Sequence, residues 1–263
     1  MREKEKGSAG RDAGADTHAH AAVRRWPKRL AVVLAMVLVL GVAGFAWYVS
    51  DYYHADAQAV SQATAQVPVT ETSDGIAVGN PDAAYGLVLY PGAKVEPAAY
   101  EPLAAALAAQ GVYCVIAKMP FNLAFFDGNA ADGLMAAAPQ VRTWWIGGHS
   151  LGGVAAAQYA AGHTDRLAGI VLLASYATAD LSQSGLAALT VYGENDGVLN
   201  RRALAQNAGN LPAGAQTVVI AGGTHAGFAA YGPQAGDGQA AVSTAEQERQ
   251  TAALIVQAMQ QAG

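Results

Sequence analysis

The residues with the most chemical promise stand in one short run, Gly147-Gly148-His149-Ser150-Leu151-Gly152-Gly153, directly after the apolar Trp144-Trp145-Ile146. A strand that enters Gly-x-Ser-x-Gly and leaves into an alanine-rich helical stretch describes a very tight turn. Side chains two residues either side of the serine would collide there, so both places call for glycine. Such a turn holds Ser150 Oγ clear of a sheet, above the N-terminus of the next helix, where negative charge is favoured. A serine hydroxyl is a weak nucleophile at its ordinary pKa. It needs a base within hydrogen-bond reach and an acid to orient that base.

The elements that must position such groups alternate regularly. Apolar runs at Tyr85–Tyr90, Val112–Ala117, Thr143–Ile146, Leu167–Leu173, Ala187–Tyr192 and Thr217–Ile220 read as strands, with a short hairpin at Val69–Val78 turning at Asp74-Gly75. Helices are expected between most of them, the last from about Thr244 to Gln260. Unbroken apolar strands alternating with helices predict an α/β fold, a doubly wound and mostly parallel sheet. Ligands of such sheets bind beyond the carboxyl ends of the strands. The polar residues there are Lys94 after the first long strand, Ser150, then Ser175 and Tyr176, then Glu194 and Asp196, and finally His225.

Serine, acid and histidine in that chain order, with the segments Tyr90-Pro91-Gly92-Ala93-Lys94-Val95, Met119-Pro120-Phe121-Asn122-Leu123-Ala124, Gly148-His149-Ser150-Leu151-Gly152-Gly153, Tyr192-Gly193-Glu194-Asn195-Asp196-Gly197 and Gly222-Gly223-Thr224-His225-Ala226-Gly227-Phe228, resemble the α/β-hydrolase superfamily. Within it the chain is similar to the small "fold-5", dienelactone-hydrolase-like branch, with serine where dienelactone hydrolases carry a cysteine nucleophile. The resemblance implies a catalytic triad of Ser150, Asp196 and His225. Glu194 and Asp180 are the alternative acids, and His149 is the alternative base, expected to point away from the serine's partner. It also implies an oxyanion hole made by the backbone N–H groups of Leu151 and Ala93. Only about a dozen residues separate Ser175 from Leu186, too few for a lipase-like cap, so an open pocket bordered by Phe121, Tyr176 and Phe228 is expected. The activity implied is hydrolysis of a small ester or thioester through an acyl-enzyme, with no cofactor. The alternatives are acyl transfer on the same triad and a silent fold used for binding.

Charge divides the chain. The net charge is -5, but residues 1–29 hold eight Lys/Arg against four acids, which leaves an acidic remainder unsuited to nucleic acid. Residues 1–29 read as a disordered basic tail. Residues 30–49 carry no charge over about twenty positions, enough to span a ~30 Å hydrocarbon layer. Arg24, Arg25, Lys28 and Arg29 precede this span, and Trp47, Tyr48, Tyr52 and Tyr53 close it. That pattern predicts a signal anchor with a cytoplasmic N-terminus and an extracytoplasmic hydrolase domain. A signal peptide cleaved at Ala55-Asp56-Ala57, giving a secreted protein, is the alternative. Residues 50–68 read as a stalk and 69–263 as the hydrolase domain. The lone Cys114 lies in a buried strand, and no Cys/His spacing forms a metal site. Asp237, between two glycines, reads as a loop or capping residue.

Overall fold

The computed structural model describes residues 26–262, so the basic tail before Trp26 lies outside the described residues. Two units are distinct, one ending at Ser50 and one running from Asp51 to the C-terminus. The first is helix α1 (Trp26–Ser50), 25 residues long. Its apolar side chains are exposed along its length. It is long and apolar enough to cross a membrane, as either an anchor or a signal sequence.

The second unit is built on an eight-stranded sheet: β1 (Val69–Glu71), β2 (Gly75–Val78), β3 (Tyr85–Tyr90), β4 (Val112–Ala117), β5 (Thr143–His149), β6 (Gly169–Leu173), β7 (Ala187–Gly193) and β8 (Gln216–Ile220). The spatial order is β1-β2-β4-β3-β5-β6-β7-β8. The β1–β2 and β2–β4 pairings are antiparallel, and every later pairing is parallel. The mostly parallel sheet expected from the apolar runs is therefore present, with the hairpin as its antiparallel edge.

Alternation along each strand divides the core into two layers. Leu87, Leu89, Trp145, Val171 and Leu189 face one side, together with α3 (Glu101–Ala108) and α7 (Thr244–Ala262). Val88, Tyr90, Trp144, Ile146, Ile170 and Leu172 face the other, together with α4 (Ala130–Ala136) and α5 (Leu151–Gly162), and the short α6 (Arg201–Gln206) follows β7. Burial on both faces explains why these strands read as unbroken apolar runs. Cys114 is wholly buried on β4, and burial pushes its thiol up to about 12.

The segment expected as a stalk is packed into the domain. Tyr53 forms a parallel bridge with Val95, donating to Lys94 O at 2.7 Å and accepting from Glu96 N–H at 2.9 Å. Asp56 then caps α2 (Ala57–Thr64), accepting from the N–H groups of Gln58 and Ala59. Helix α2 lies against α3, which packs in turn on α7. The segment's own pattern is weak, because the helix buries no residue fully and only Tyr53, Ala55, Ala63 and Val67 pack partly on the core.

Candidate active site

The turn after β5 is a nucleophile elbow in geometry as well as in sequence. Ser150 sits at φ 52°, ψ −121°, a conformation that L-residues rarely adopt and that must be held from outside. The restraint is visible. Its N–H donates to Leu173 O at 2.9 Å, and its carbonyl accepts from Ser175 Oγ at 2.6 Å. A Cβ on Gly148 would lie 2.3 Å from the Gly152 carbonyl carbon, and one on Gly152 would lie 2.2 Å from Tyr90 O. Glycine is obligatory at both places.

His225 follows β8 and Asp196 follows β7, and the topology makes β7 and β8 neighbours. Asp196 accepts a hydrogen bond from His225 Nδ1, at 3.0 Å to one carboxylate oxygen and 3.2 Å to the other. It also receives the N–H groups of Val198 and Leu199 at 2.9 and 2.7 Å. Both side chains are buried. With the proton on Nδ1, Nε2 presents its lone pair; it is shielded from solvent and among the described residues it has no hydrogen-bond partner, Ser150 included. The alternative acids are engaged elsewhere. Glu194 accepts from Gly222 N–H at 2.9 Å, and exposed Asp180 receives Ser182 N–H.

His149 departs from expectation. Its ring leans on His225, with centroids 4.6 Å apart, rather than pointing away from it. Nδ1 lies 2.8 Å from the Tyr100 hydroxyl, which also receives Gly92 N–H at 2.8 Å. The hydroxyl thus bridges the backbone of Gly92 and the imidazole, the direction of the second bond following the histidine tautomer. Burial, and then the neighbouring His225, hold this imidazole well below its ordinary pKa, so it stays neutral. His149 thereby ties the elbow to the turn after β3.

That turn carries Ala93. Its backbone is fixed by the Tyr100 contact, by Lys94 N–H donating to Asn122 O at 2.9 Å, and by a positive φ of 59° at Lys94. Among the described residues neither Ala93 N–H nor Leu151 N–H has a protein acceptor. Lys94 Nζ pairs with Asp51 at 3.1 Å rather than standing in solvent.

Of the pocket candidates, Phe121 is 50% exposed and meets Phe126 edge-on, and Tyr176 is half-buried. Phe228 is fully buried, with its ring centroid 5.7 Å from that of His149. It supports the histidine from beneath and does not border an open pocket, because the turn at Ala226–Phe228 rolls its side chain into the core.

Two residues carry more than the sequence indicated. Asp237 receives four backbone N–H groups: Gly197 beside the acid, His225 and Ala226 at the base, and its neighbour Gly238, at 2.8–3.1 Å. Partial burial raises its pKa, but these four donors outweigh burial and bring the carboxyl below its ordinary value. Gln247, buried on α7, accepts from Thr224 N–H at 2.9 Å and donates to Thr224 O at 2.8 Å. Its place on the inward face of an amphipathic helix was the only available signal.

The sequence profile of the alpha/beta hydrolase family matches residues 86–249. No curated protein sequence matches the chain. Among solved structures, a membrane phospholipase A described as a bacterial virulence factor aligns at 15% identity and TM-score 0.56, over 89% of this chain and 99% of its own. An alpha/beta hydrolase from the sediment metagenome of the Mar Chica lagoon, Morocco, aligns at 12% identity and TM-score 0.56, over 74% of this chain and 98% of its own. Est1E from Butyrivibrio proteoclasticus aligns at 14% and TM-score 0.53, over 73% and 98%. At these identities the neighbours speak for the fold. The strand order, the elbow and a profile covering more than half of the sequence agree: this chain belongs to the alpha/beta hydrolase family.

Proposed function

We propose that the protein is a membrane-anchored serine hydrolase that cleaves a small ester or thioester with Ser150, His225 and Asp196. One observation carries the proposal. The buried Asp196–His225 pair leaves Nε2 unprotonated and unpartnered at the strand mouths where the elbow presents Ser150. In an unliganded enzyme the serine–histidine contact is often loose and tightens when substrate binds.

The steps follow from these groups. Ser150 Oγ attacks the acyl carbon while His225 Nε2 takes its proton, and Asp196 stabilises the imidazolium. The oxyanion is received by Leu151 and Ala93 N–H, each such donor being worth ~10²–10³ in rate. His225 returns the proton to the departing alcohol or thiol, leaving an acyl-enzyme. Water, deprotonated by the same nitrogen, then releases the acid and restores Ser150. The link between β6 and β7 contains no helix to serve as a cap, which supports an open site and short acyl groups. The exposed apolar surface of α1 supports anchoring through residues 30–49, and the basic residues before this span with the aromatics after it favour an extracytoplasmic domain.

A serine-reactive fluorophosphonate is the direct test. Wild-type protein is expected to be labelled at neutral pH and Ser150→Ala to remain unlabelled. An unlabelled wild type would overturn the proposal. Across p-nitrophenyl esters, kcat/KM is expected to fall as the acyl chain lengthens. Protease added to intact cells is expected to remove the domain.

A further inference from the structure

Helices α2, α3 and α7 line a half-open cavity of about 940 Å³ away from the proposed active site, built without any residue of the proposed triad. Its walls are mostly small and apolar. Ala59 and Ala63 come from α2, Pro102, Ala105 and Ala106 from α3, and Ala245 from α7. Glu248 of α7 opens onto it. This residue is 3% exposed, and its Oε1 has no hydrogen-bond partner.

A buried carboxyl oxygen without a partner is costly, in the ionised form above all, unless something seated beside it supplies the missing contact. The charge of the lining says what that something is. The titratable groups facing the cavity are Glu248 from α7 and Asp56 ahead of α2. The α3 wall contributes none, and Gln62, Gln66, Asn80 and Thr244 are polar but neutral. No basic side chain and no aromatic ring lines it among the described residues. Anions are therefore disfavoured, and neither stacking nor a cation–π face is offered. What remains is a methyl-walled space with one carboxyl inside it, of a volume that suits small organic ligands.

We propose that this cavity binds a cationic amphiphile: an aliphatic chain lying against the alanines of α2 and α3, with a primary ammonium head on Glu248.

The state of Glu248 gives the site a signature. Burial alone pushes its carboxyl up to about 8, so it is mostly protonated at neutral pH without ligand. An ammonium ion, charged over this whole range, ionises it on binding. Binding at pH 7 then releases close to one proton, and the affinity rises as pH approaches 8. This sign is opposite to that for an anionic ligand.

The test is calorimetric titration of the full chain in a nonionic detergent with n-hexylammonium, after subtraction of the heat taken up by micelles alone. Expected are a Kd that tightens roughly tenfold from pH 6 to pH 7 and levels above about 8, and proton release revealed by buffers of different ionisation enthalpy. Each added methylene is expected to tighten binding about fourfold. Glu248→Gln, of the same volume, is expected to weaken binding at least about tenfold and to abolish the pH dependence. Ala63→Leu, which fills part of the α2 wall, is expected to weaken binding while keeping the proton release. It carries the test if Glu248→Gln fails to fold. Hexanol or hexanoate binding as tightly as hexylammonium, an affinity independent of pH, or the absence of binding would each overturn the proposal.

Discussion

Two regions of this molecule treat withdrawn carboxyl groups in opposite ways. At the mouth of the sheet, Asp237 gathers four backbone N–H groups and is brought below its ordinary pKa. One turn into α7, Glu248 has none and is pushed up to about 8. The residues are close in sequence, yet one pins two loops together while the other stands open to a cavity. Burial raises the pKa of both carboxyls, and it acts alone at the more deeply buried Glu248. At the part-buried Asp237 four donors outweigh it, since each hydrogen bond to the charged form offsets part of the desolvation cost.

The comparison can be broken or sharpened by substitution. The largest effect is expected at Asp196, whose hydrogen bond to His225 is of the same fully supplied kind. Asp196→Asn should lower kcat about 10⁴-fold with little change in fold, read by ester hydrolysis and circular dichroism. Asp237→Ala orphans four amides shared between the acid and base turns. A loss of roughly 2–3 kcal/mol in unfolding free energy is expected, with kcat falling by an order of magnitude or more while KM moves little. Because Asp237 acts through His225, its loss should also shift the pH profile of kcat/KM, and Asp237→Asn should recover part of both effects.

The pH dependence of stability separates the two acids by sign. A lowered folded pKa stabilises above the unfolded carboxylate value and is lost on acidification, so the difference between wild type and Asp237→Asn should shrink as pH falls through and below the ordinary aspartate range. A raised one acts the other way. Between the ordinary value of 4.5 and about 8 the unfolded chain has released the Glu248 proton and the folded chain has not. Wild-type stability should therefore fall by up to about 1.4 kcal/mol per pH unit across that interval. Glu248→Gln should remove that slope and gain roughly 2–3 kcal/mol at pH 7, measured by denaturant unfolding at several pH values. The smallest effect is expected for Tyr100→Phe, which leaves Gly92 N–H and His149 Nδ1 unpaired in a loosened oxyanion turn. It should cost about 1 kcal/mol of stability and about tenfold in kcat.

The strands β3 to β7 were legible because they are largely buried on both faces and bounded by glycine, proline and short polar runs, whereas the edge strands β1 and β8 are largely exposed. Ser150, Asp196 and His225 were legible because each lies just past a strand end with glycines nearby, a local pattern. What escaped was long-range. Asp237 matters because Gly197 is brought to it across forty residues of chain, and no spacing encodes that. The same holds for the Tyr100–His149 contact. Phe228 misled because proximity to His225 in sequence does not say on which side of a tight turn a ring falls. Residues 51–68 look like a linker because the helix Ala57–Thr64 buries no residue fully and only Tyr53, Ala55, Ala63 and Val67 pack partly on the core, which leaves almost no hydrophobic pattern.

The bridge between Tyr53 and Val95 bears on the order of events in the life of the chain. A peptidase must hold its substrate extended, with the backbone around the scissile bond free. Here Ala55 N–H is taken by Glu96, Asp56 N–H by Ala230 O, and Ala57 already begins a helix. In the folded domain the Ala55-Asp56-Ala57 backbone is therefore held in these bonds rather than extended, so a peptidase acting there has to meet the segment before it folds.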